Sequence, residues 1–384
     1  FGRDDVLQRI TEEIRSSFSQ AICPKIVVQG GWGYGKTHTL YHLSYLLSNS
    51  ATCVYVPLPD IDPHDDLVSG FYAFLIGAMT SNGLLENIVR TAREKGVLAK
   101  YVEEPTLFNA LDGMIVSSFT RREAYKNWLM GKEISATDQK DTNLPKRIEL
   151  LRPDACIAVL RCLGNMFLDR LGLMGKRSML FFLIDEAHRL ERISLRNKSK
   201  YYGEWYTAFK ELIHDAFPVS MVFGVGYSVG QPGAFQIDLL QYPEIASRMG
   251  ARWIQLAPIP VPQLEIFVKS VIRYSRDGWD AGTNGFCPPS QTIMKSISAW
   301  NDAHSSEPTD IDCYPFTKRA VENILTILPR QVADFRSPRI ICKLMNDLAA
   351  YSNCLNRQMV TQADMGPVLQ RLQQQQVPTP QQQP

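Results

Sequence analysis

A glycine-rich octapeptide near the start of the chain constrains the fold more strongly than any other sequence feature. Residues 30–37 read Gly-Gly-Trp-Gly-Tyr-Gly-Lys-Thr and fit the pattern G-x-x-x-x-G-K-[ST]. An apolar, β-branched run precedes them at residues 26–28, and a helical pattern follows over residues 37–47. Because such a motif works only between a buried strand and the start of a helix, the sequence predicts a phosphate-binding loop in an α/β domain.

The residue types of this loop are those that a nucleoside triphosphate requires. Glycines let successive backbone N–H groups turn towards phosphate oxygens, and the following helix directs its positive end at the same anion. Lys36 is expected to reach the β- and γ-phosphates, and the Thr37 hydroxyl to ligate Mg²⁺. The candidate nucleotide-binding residues of the loop are Gly30, Gly33, Gly35, Lys36, Thr37 and His38.

Two acidic residues follow the clearest buried strand in the sequence. Residues 178–184 read SMLFFLI, and Asp185 and Glu186 come directly after them. Carboxylates at the C-terminal end of a parallel strand lie at the edge where open α/β sheets bind ligands. We expect Asp185 to complete the Mg²⁺ shell and Glu186 to orient and deprotonate an attacking water. The sequence therefore predicts ATP and Mg²⁺ as cofactors.

The order of apolar patterns indicates the fold class. Strands are predicted over residues 25–29, 53–58, 178–184, 219–225 and 253–256. Helical patterns alternate with the first of them, which is typical of a parallel sheet covered on both faces. We expect an α/β protein with an αβα parallel-sheet P-loop ATPase domain over residues 1–258, interrupted by a helical insert at about 83–174.

The remainder of the chain is helical in pattern. An all-α lid is expected over residues 259–372, with a long loop over about 277–314 where Gly, Pro, Ser and Asp are frequent. Residues 373–384 are nearly all Gln and Pro, so they are expected to be a disordered tail.

Composition limits the partners of the chain. Lys and Arg number 41 against 39 Asp and Glu, so DNA contact would have to come from a local patch. The longest uncharged runs contain several glycines and polar residues, and no membrane partner is expected. Eight scattered cysteines lack metal-binding spacing and indicate free thiols in a reducing, cytoplasmic compartment. Because the chain begins at Phe1, we expect a trimmed fragment.

Two other nucleotide-binding classes can be set aside. Residues 185–188 spell Asp-Glu-Ala-His, the box of one helicase group, but those helicases need a second RecA-like domain where this chain is helical. We therefore interpret His188 as the start of a capping turn. A dinucleotide-binding fold is excluded because neither glycine cluster fits G-x-G-x-x-G.

The layout over residues 1–372 resembles the AAA+ ATPases. It is similar in particular to the branch shared by origin-recognition-complex initiators, ATPase regulators of transposons and the ATPases of BREX-type phage-defence systems. The opening Phe-Gly-Arg-Asp looks like the family's GR(E/D) box, which implies that Gly2 and Arg3 line the adenine pocket. The chain stops soon after the lid without a winged-helix domain, which favours the transposition and defence branches.

The resemblance also implies two functional arginines. Residues 242–258 look like the family's R-S-R-F … L-x-P stretch, in which Arg248 matches the arginine finger offered to a neighbouring subunit. Arg248 and Arg252 both lie in a polar turn, and the alternative for either is a surface salt bridge. The Ser-Pro-Arg-Ile sequence at 337–340 looks like the start of a lid helix, with Arg339 as the sensor-2 arginine. Its alternatives are Arg330 and Arg336.

The sequence departs from the family at the sensor-1 position. There the strand after the acids normally ends in Asn, Thr or Ser, which positions water. In this chain residues 223–228 read Phe-Gly-Val-Gly-Tyr-Ser, and Ser228 is the nearest polar candidate.

A basic segment is the candidate for DNA contact. Residues 189–200 carry five basic residues and one acid, and aromatic residues follow, so Arg196, Lys198 and Lys200 are candidate DNA contacts. A solvated loop leading into an amphipathic helix is the alternative.

The resemblance implies a homo-oligomer with ATP at its interfaces, acting with protein partners of a multi-component machine on DNA in transposition, replication or phage defence. The alternatives are a STAND-type signalling switch without DNA binding and, third, a small-molecule P-loop kinase.

Overall fold

The computed structural model describes most of the chain. The described residues are 4–20, 22–59, 67–146, 153–172, 179–189, 210–214, 216–227, 252–277, 279–280, 285–286, 289–327, 337–355, 357 and 359–376. The chain divides into two compact units. The sheet unit comprises Asp5–Gly30 and Lys36–Leu256, and the C-terminal unit comprises Phe1–Asp4, Gly31–Gly35 and Ala257–Pro384.

A five-stranded parallel sheet forms the centre of the sheet unit. Its strands are β1 (Lys25–Gly31), β2 (Ala51–Pro57), β3 (Met179–Asp185), β4 (Ser220–Tyr227) and β5 (Trp253–Leu256). They are ordered β2-β3-β4-β1-β5, so β4 lies between the strand that leads into the glycine loop and the strand that ends in the acids. The C-terminal ends of these strands therefore lie along one edge of the sheet, the edge at which such sheets bind ligands.

The first helices follow the predicted alternation. They are α1 (Asp4–Ser19), α2 (Lys36–Leu47) and α3 (Leu67–Ser81). Every residue of β1 is buried, and Ile10 and Ile14 of α1 are at most 1% exposed. A largely apolar strand that is buried on both faces is the expected form of a parallel strand covered by helices. The fold class expected from the sequence, an αβα parallel-sheet domain, is confirmed.

Between β2 and β3 the chain is almost entirely helical. After α3 come α4 (Leu84–Glu94), α5 (Leu98–Tyr101), α6 (Pro105–Val116), α7 (Phe119–Leu129), α8 (Ala136–Thr142) and α9 (Pro153–Gly172). The polar stretch at 135–143 contains α8, because the Ser135 side chain accepts the N–H of Asp138 and caps the helix. Trp128 is 1% exposed, and its indole N–H donates to the Pro145 carbonyl at 3.0 Å.

A buried lysine stabilises the start of the sheet. Lys25 is 1% exposed, and its Nζ donates to the carbonyls of Cys23, His214 and Phe217 at 2.7, 2.9 and 3.0 Å. Three carbonyl acceptors replace the water that the ammonium loses on burial. The contacts connect β1 to the segment that precedes β4.

The C-terminal unit is mainly helical. Its helices are α10 (Val261–Asp277), α11 (Gln291–Ala303), α12 (Lys318–Ile327), α13 (Pro338–Cys354) and α14 (Met365–Gln376). Helices α10, α12, α13 and α14 share an apolar core that includes Ile259, Leu264, Ile324, Ile341 and Leu348.

Two expectations about the C-terminal unit need correction. The expected long loop over 277–314 contains the 13-residue helix α11, capped by the Ser290 side chain, and a short antiparallel pair, β6 (Trp279–Asp280) with β7 (Gly285–Phe286). The expected disordered tail over 373–384 begins too early, because α14 continues to Gln376. Residues 377–384 lie outside the described residues.

Among the described residues, no helix is long and apolar enough to cross a membrane. The seven cysteines in the described part of the chain are free thiols. Burial raises the pKa of the Cys53 thiol to about 11, so this group stays protonated at neutral pH.

Candidate active site

The glycine loop has the backbone conformation that its sequence predicts. Gly33 and Gly35 have φ values of 77° and 92°, in the left-handed region that favours glycine. Between them, the Tyr34 N–H donates to the Gly31 carbonyl at 3.2 Å and closes a turn. Alternating left-handed residues turn backbone N–H groups to the same side, as an anion-binding loop requires.

Within the C-terminal unit, the start of α13 packs against this loop. The Arg339 N–H donates to the Gly33 carbonyl at 3.2 Å, and a Cβ added to Gly33 would lie 2.7 Å from the Arg339 Cβ. The Ser337 side chain accepts the Ile340 N–H and caps the helix. The structure thus places Arg339 beside the loop, while Arg330 and Arg336 lie outside the described residues.

In the sheet unit, Lys36 begins α2 and is 6% exposed. Its Nζ donates to the Gly30 carbonyl at 3.1 Å. Burial lowers the pKa of Lys36, and the carboxylates of Glu186 and Asp185 oppose this effect. A buried ammonium group beside two carboxylates, at the start of the helix that follows the glycine loop, is suited to phosphate binding. His38 lies on the exposed side of the first turn of α2.

The two expected Mg²⁺ ligands are in contact. The Thr37 hydroxyl donates to Asp185 Oδ2 at 2.7 Å, and Asp185 is 3% exposed. Both offer the hard oxygen ligands that Mg²⁺ prefers. No group of three or more His, Cys, Asp or Glu that could hold a metal occurs in the described ranges. The residues therefore fit an ion held by one carboxylate and one hydroxyl, with phosphate and water completing the shell.

A third side chain, which the sequence pattern did not indicate, joins the contact between Thr37 and Asp185. The Tyr55 hydroxyl, from β2, donates to the same Asp185 Oδ2 at 2.8 Å, and the Tyr55 ring stacks on Tyr41 of α2 with centroids 4.6 Å apart. Burial and the adjacent Asp185 carboxylate raise the pKa of Tyr55 well above its usual value, so the phenol remains a donor. The only available signal was the position of Tyr55 near the end of a strand that neighbours β3.

The predicted general base follows Asp185 in an unusual conformation. Glu186 has a φ of 58°, rare for a residue with a side chain, and its N–H donates to Asp185 Oδ1 at 2.9 Å. Its Oε2 lies 3.5 Å from both His188 Nε2 and Arg189 Nε. This buried oxygen accepts no hydrogen bond from the described residues.

The interpretation of His188 as the start of a capping turn is incomplete. The His188 ring reaches the end of β4, where its Nδ1 accepts the Gly226 N–H at 3.2 Å. Arg189 extends the other way, and its Nη1 donates to the Leu58 carbonyl, just after β2, at 2.7 Å. The turn after β3 is therefore connected by side chains to both neighbouring strands.

Several predicted site residues lie outside the described residues. They are Gly2 and Arg3, the arginine-finger candidate Arg248, the sensor-1 candidate Ser228, and the DNA-contact candidates Arg196, Lys198 and Lys200. Arg252, from the same polar turn as Arg248 in the sequence, donates from Nε to Glu13 at 2.9 Å within the sheet unit. That intramolecular ion pair is a structural role for Arg252.

No protein-family model matches this chain, and no curated protein matches it. Solved structures are similar at low identity. Cdc6p from Pyrobaculum aerophilum aligns with 13% identity and a TM-score of 0.47, over 96% of this chain and 66% of that protein. The ORC2 protein of Aeropyrum pernix in ADPNP–ADP complexes gives 10% identity and a TM-score of 0.47, over 96% and 67%. A point mutant of RuvB from Thermotoga maritima gives 11% and 0.38, over 95% and 69%. The chain thus spans about two thirds of the length of each of these proteins.

Proposed function

We propose that this chain is a Mg²⁺-dependent ATPase of the AAA+ type. The observation that carries the proposal is the 2.7 Å hydrogen bond between Thr37 and Asp185, which joins the end of the glycine loop motif to the acid pair. The two halves of the expected catalytic site come from different parts of the sequence. Their contact supports one site for a triphosphate and its metal ion rather than two unrelated motifs.

Each residue has a defined task in the proposed hydrolysis. Lys36 binds phosphate oxygens as a buried cation, and Thr37 and Asp185 hold Mg²⁺. The bound ion supplies charge neutralisation on the phosphates. Glu186 orients the attacking water and accepts its proton. Arg339, beside Gly33 in the C-terminal unit, responds to the γ-phosphate, and Gly2, Arg3 and His38 complete the nucleotide-binding set.

The proposal also includes assembly into a homo-oligomer and contact with DNA. The sequence resemblance supports a cytoplasmic homo-oligomer in which Arg248 completes the site of a neighbouring subunit, so that hydrolysis depends on assembly. The same resemblance, to ATPases of transposition, replication and BREX-type phage defence, supports DNA contact through Arg196, Lys198 and Lys200 and protein partners of a multi-component machine.

The alternative is a STAND-type switch that retains nucleotide, turns over slowly and does not bind DNA. The position of Glu186 favours it, because His188 and Arg189 both approach its Oε2, and contacts of the carboxylate with these side chains compete with its contact to water. Slow release of ADP and no affinity for duplex DNA would select this alternative.

Calorimetry with ATP and ADP, with and without Mg²⁺, tests the nucleotide site directly. Lys36→Ala should abolish measurable binding, and Glu186→Gln should retain ATP affinity while lowering kcat by at least about 100-fold. Lys140→Ala and Glu94→Gln are matched controls at exposed positions and should behave as wild type. No nucleotide uptake by the folded wild-type protein, or full turnover by Lys36→Ala, contradicts the proposal.

Two further measurements test assembly and DNA contact. Native mass measurement of Glu186→Gln should show an oligomer with ATP and loss of that oligomer without it. Fluorescence anisotropy with duplex DNA should show salt-sensitive binding that falls on triple alanine substitution of Arg196, Lys198 and Lys200. A triple substitution of the exposed Arg90, Lys95 and Lys140 removes the same charge and should leave binding unchanged.

A further inference from the structure

The end of β4 offers backbone rather than side-chain donors to the site. Residues 223–226 read Phe-Gly-Val-Gly, and Phe223 and Val225 are fully buried. Asn, Thr or Ser at this place in related ATPases would position water, but the described end of β4 has no such residue. Ser228, the nearest polar candidate, lies outside the described residues, and within them a polar group reaches the end of β4 from the turn after β3.

The imidazole of His188 lies at this position. Its Nδ1 accepts the Gly226 N–H at 3.2 Å, so the ring lies against the strand where a side chain would otherwise be. A Cβ added to Gly226 would lie 3.0 Å from His188 Cε1 and 3.1 Å from Nδ1. Real Cβ atoms are rarely found at such distances, so glycine at 226 makes room for the ring.

The same contact determines which nitrogen of the neutral ring carries the proton. Because Nδ1 accepts from a backbone N–H, its lone pair is used, and the proton is on Nε2. The Nε2–H group then lies 3.5 Å from Glu186 Oε2, the buried oxygen that accepts no hydrogen bond from the described residues. A small rotation of the Glu186 side chain is enough to form that bond.

We propose that His188 is a positioning residue for the general base Glu186, and that it supplies a polar group at the described end of β4, where the strand offers none. The backbone of β4 fixes the tautomer of His188, and the Nε2–H group then fixes one carboxylate oxygen of Glu186, which leaves the other to accept the proton of water. This inference rests on the proposed ATPase function, since it assigns a role in that reaction.

Arg189 is the competing partner of Glu186, at the same 3.5 Å distance. The Arg189 guanidinium also donates to the Leu58 carbonyl. It carries protons on all of its nitrogens, so it has no tautomer that a backbone contact could select. A link through His188 therefore depends on Gly226, whereas a link through Arg189 does not. Substitution of Gly226 therefore distinguishes a link through His188 from a link through Arg189.

Steady-state kinetics of three variants test the role. His188→Ala should lower kcat about tenfold or more, with KM and the Kd for ATP within about twofold of wild type. His188→Gln should recover much of kcat, because one amide can accept from Gly226 and donate to Glu186. Gly226→Ala should reproduce the loss, and combining it with His188→Ala should add little. His304→Gln, an exposed histidine in the C-terminal unit, should leave kcat unchanged.

Nitrogen NMR of histidine-labelled protein tests the geometry without turnover. The chain has six histidines, and His188→Gln assigns the signal. We expect the Nε2–H tautomer for His188 in wild type and its loss in Gly226→Ala. An Nδ1–H tautomer, or a kcat of His188→Ala within twofold of wild type, overturns the inference. If the wild-type protein binds ATP but shows no hydrolysis, the proposed function fails instead, and the positioning role fails with it.

Discussion

The hydroxyl of Thr37 donates a 2.7 Å hydrogen bond to Asp185 Oδ2, across 148 positions of sequence. Thr37→Val should remove both the metal ligand and this donor, whereas Thr37→Ser keeps the hydroxyl. We expect Thr37→Val to lower Mg²⁺-dependent turnover by at least about 100-fold and the free energy of unfolding by about 1 kcal/mol. ATPase assays over a Mg²⁺ titration, with urea unfolding, check both values. Equal turnover of the valine and serine variants would refute the ligand role.

Tyr55→Phe should separate stability from metal binding. The substitution removes one of two donors to Asp185 Oδ2 and preserves the ring that stacks on Tyr41. We expect the free energy of unfolding to fall by about 1–2 kcal/mol, while Mg·ATP affinity is retained because the ion replaces the lost donor. Urea denaturation with and without Mg·ATP measures the two effects. A variant that loses Mg·ATP affinity would show that Tyr55 contacts the nucleotide.

Lys25→Met should destabilise the sheet unit. The substitution keeps the apolar stem but leaves the carbonyls of Cys23, His214 and Phe217 without their shared donor. We expect a loss of about 3 kcal/mol in the free energy of unfolding, since charged hydrogen bonds in buried sites are costly to break. Lys140→Met is the exposed control. A change below about 1 kcal/mol for Lys25→Met would mean that water satisfies these carbonyls.

Gly33→Ala should destabilise the glycine loop by more than the cost of placing alanine in a left-handed backbone conformation. Gly33 and Gly96 have φ values of 77° and 69°, but only at Gly33 would a Cβ meet another atom, the Arg339 Cβ at 2.7 Å. At Gly96 nothing lies within 4 Å. Gly96→Ala should therefore cost only about 1 kcal/mol from the left-handed conformation.

Gly33→Ala should cost more than this and also weaken ATP binding. Thermal unfolding and calorimetry of both variants measure the difference. Equal effects of the two substitutions on ATP affinity would contradict a specific packing of α13 against the loop.

The stability of the C-terminal unit should depend on Asp310 at low pH. Burial raises the pKa of Asp310, but hydrogen bonds from Cys313 and Lys318 outweigh it, so the pKa lies below its ordinary value of 3.8. A lowered pKa in the folded state means that the ionised form stabilises the fold. This stabilisation is complete above about pH 5 and is lost as pH falls through the folded-state pKa.

Asp310→Asn should therefore be less stable than wild type at pH 7, with the difference shrinking below about pH 3.8. Urea unfolding at a series of pH values measures this. If the stability difference between wild type and Asp310→Asn instead grows as the pH falls, the ionised form of Asp310 does not stabilise the fold.

The strands and the acid pair could be predicted from the sequence because their signals are local. The run before Asp185 is apolar and uncharged, and the glycine loop has fixed spacing. The partners of the acids could not be predicted in this way. Tyr55 reaches Asp185 from 130 positions away, and His188 meets Gly226 across 38 positions. Only the strand order β2-β3-β4 brings these residues together.

The helix α11 was not expected because residues typical of loops surround its short apolar stripe. Ile293, Ile297 and Trp300 follow helical spacing, but only Ile297 is buried among the described side chains of α11. Gly, Pro and Ser residues flank it and favour a loop interpretation. Ser290 before the stripe is an N-cap signal, but one cap and one short stripe between loop-forming segments are a weak helix signal.

The turn after β3 is held from both sides. Leu58 N–H donates to the Asp185 carbonyl at 3.2 Å on the β2 side, and Ala187 N–H donates to the Gly224 carbonyl at 2.8 Å on the β4 side. Backbone anchored between two strands cannot swing as a hinge. If Glu186 is the base of the proposed hydrolysis, its carboxylate is then free to move only by rotation about its side-chain bonds, which is much faster than domain motion.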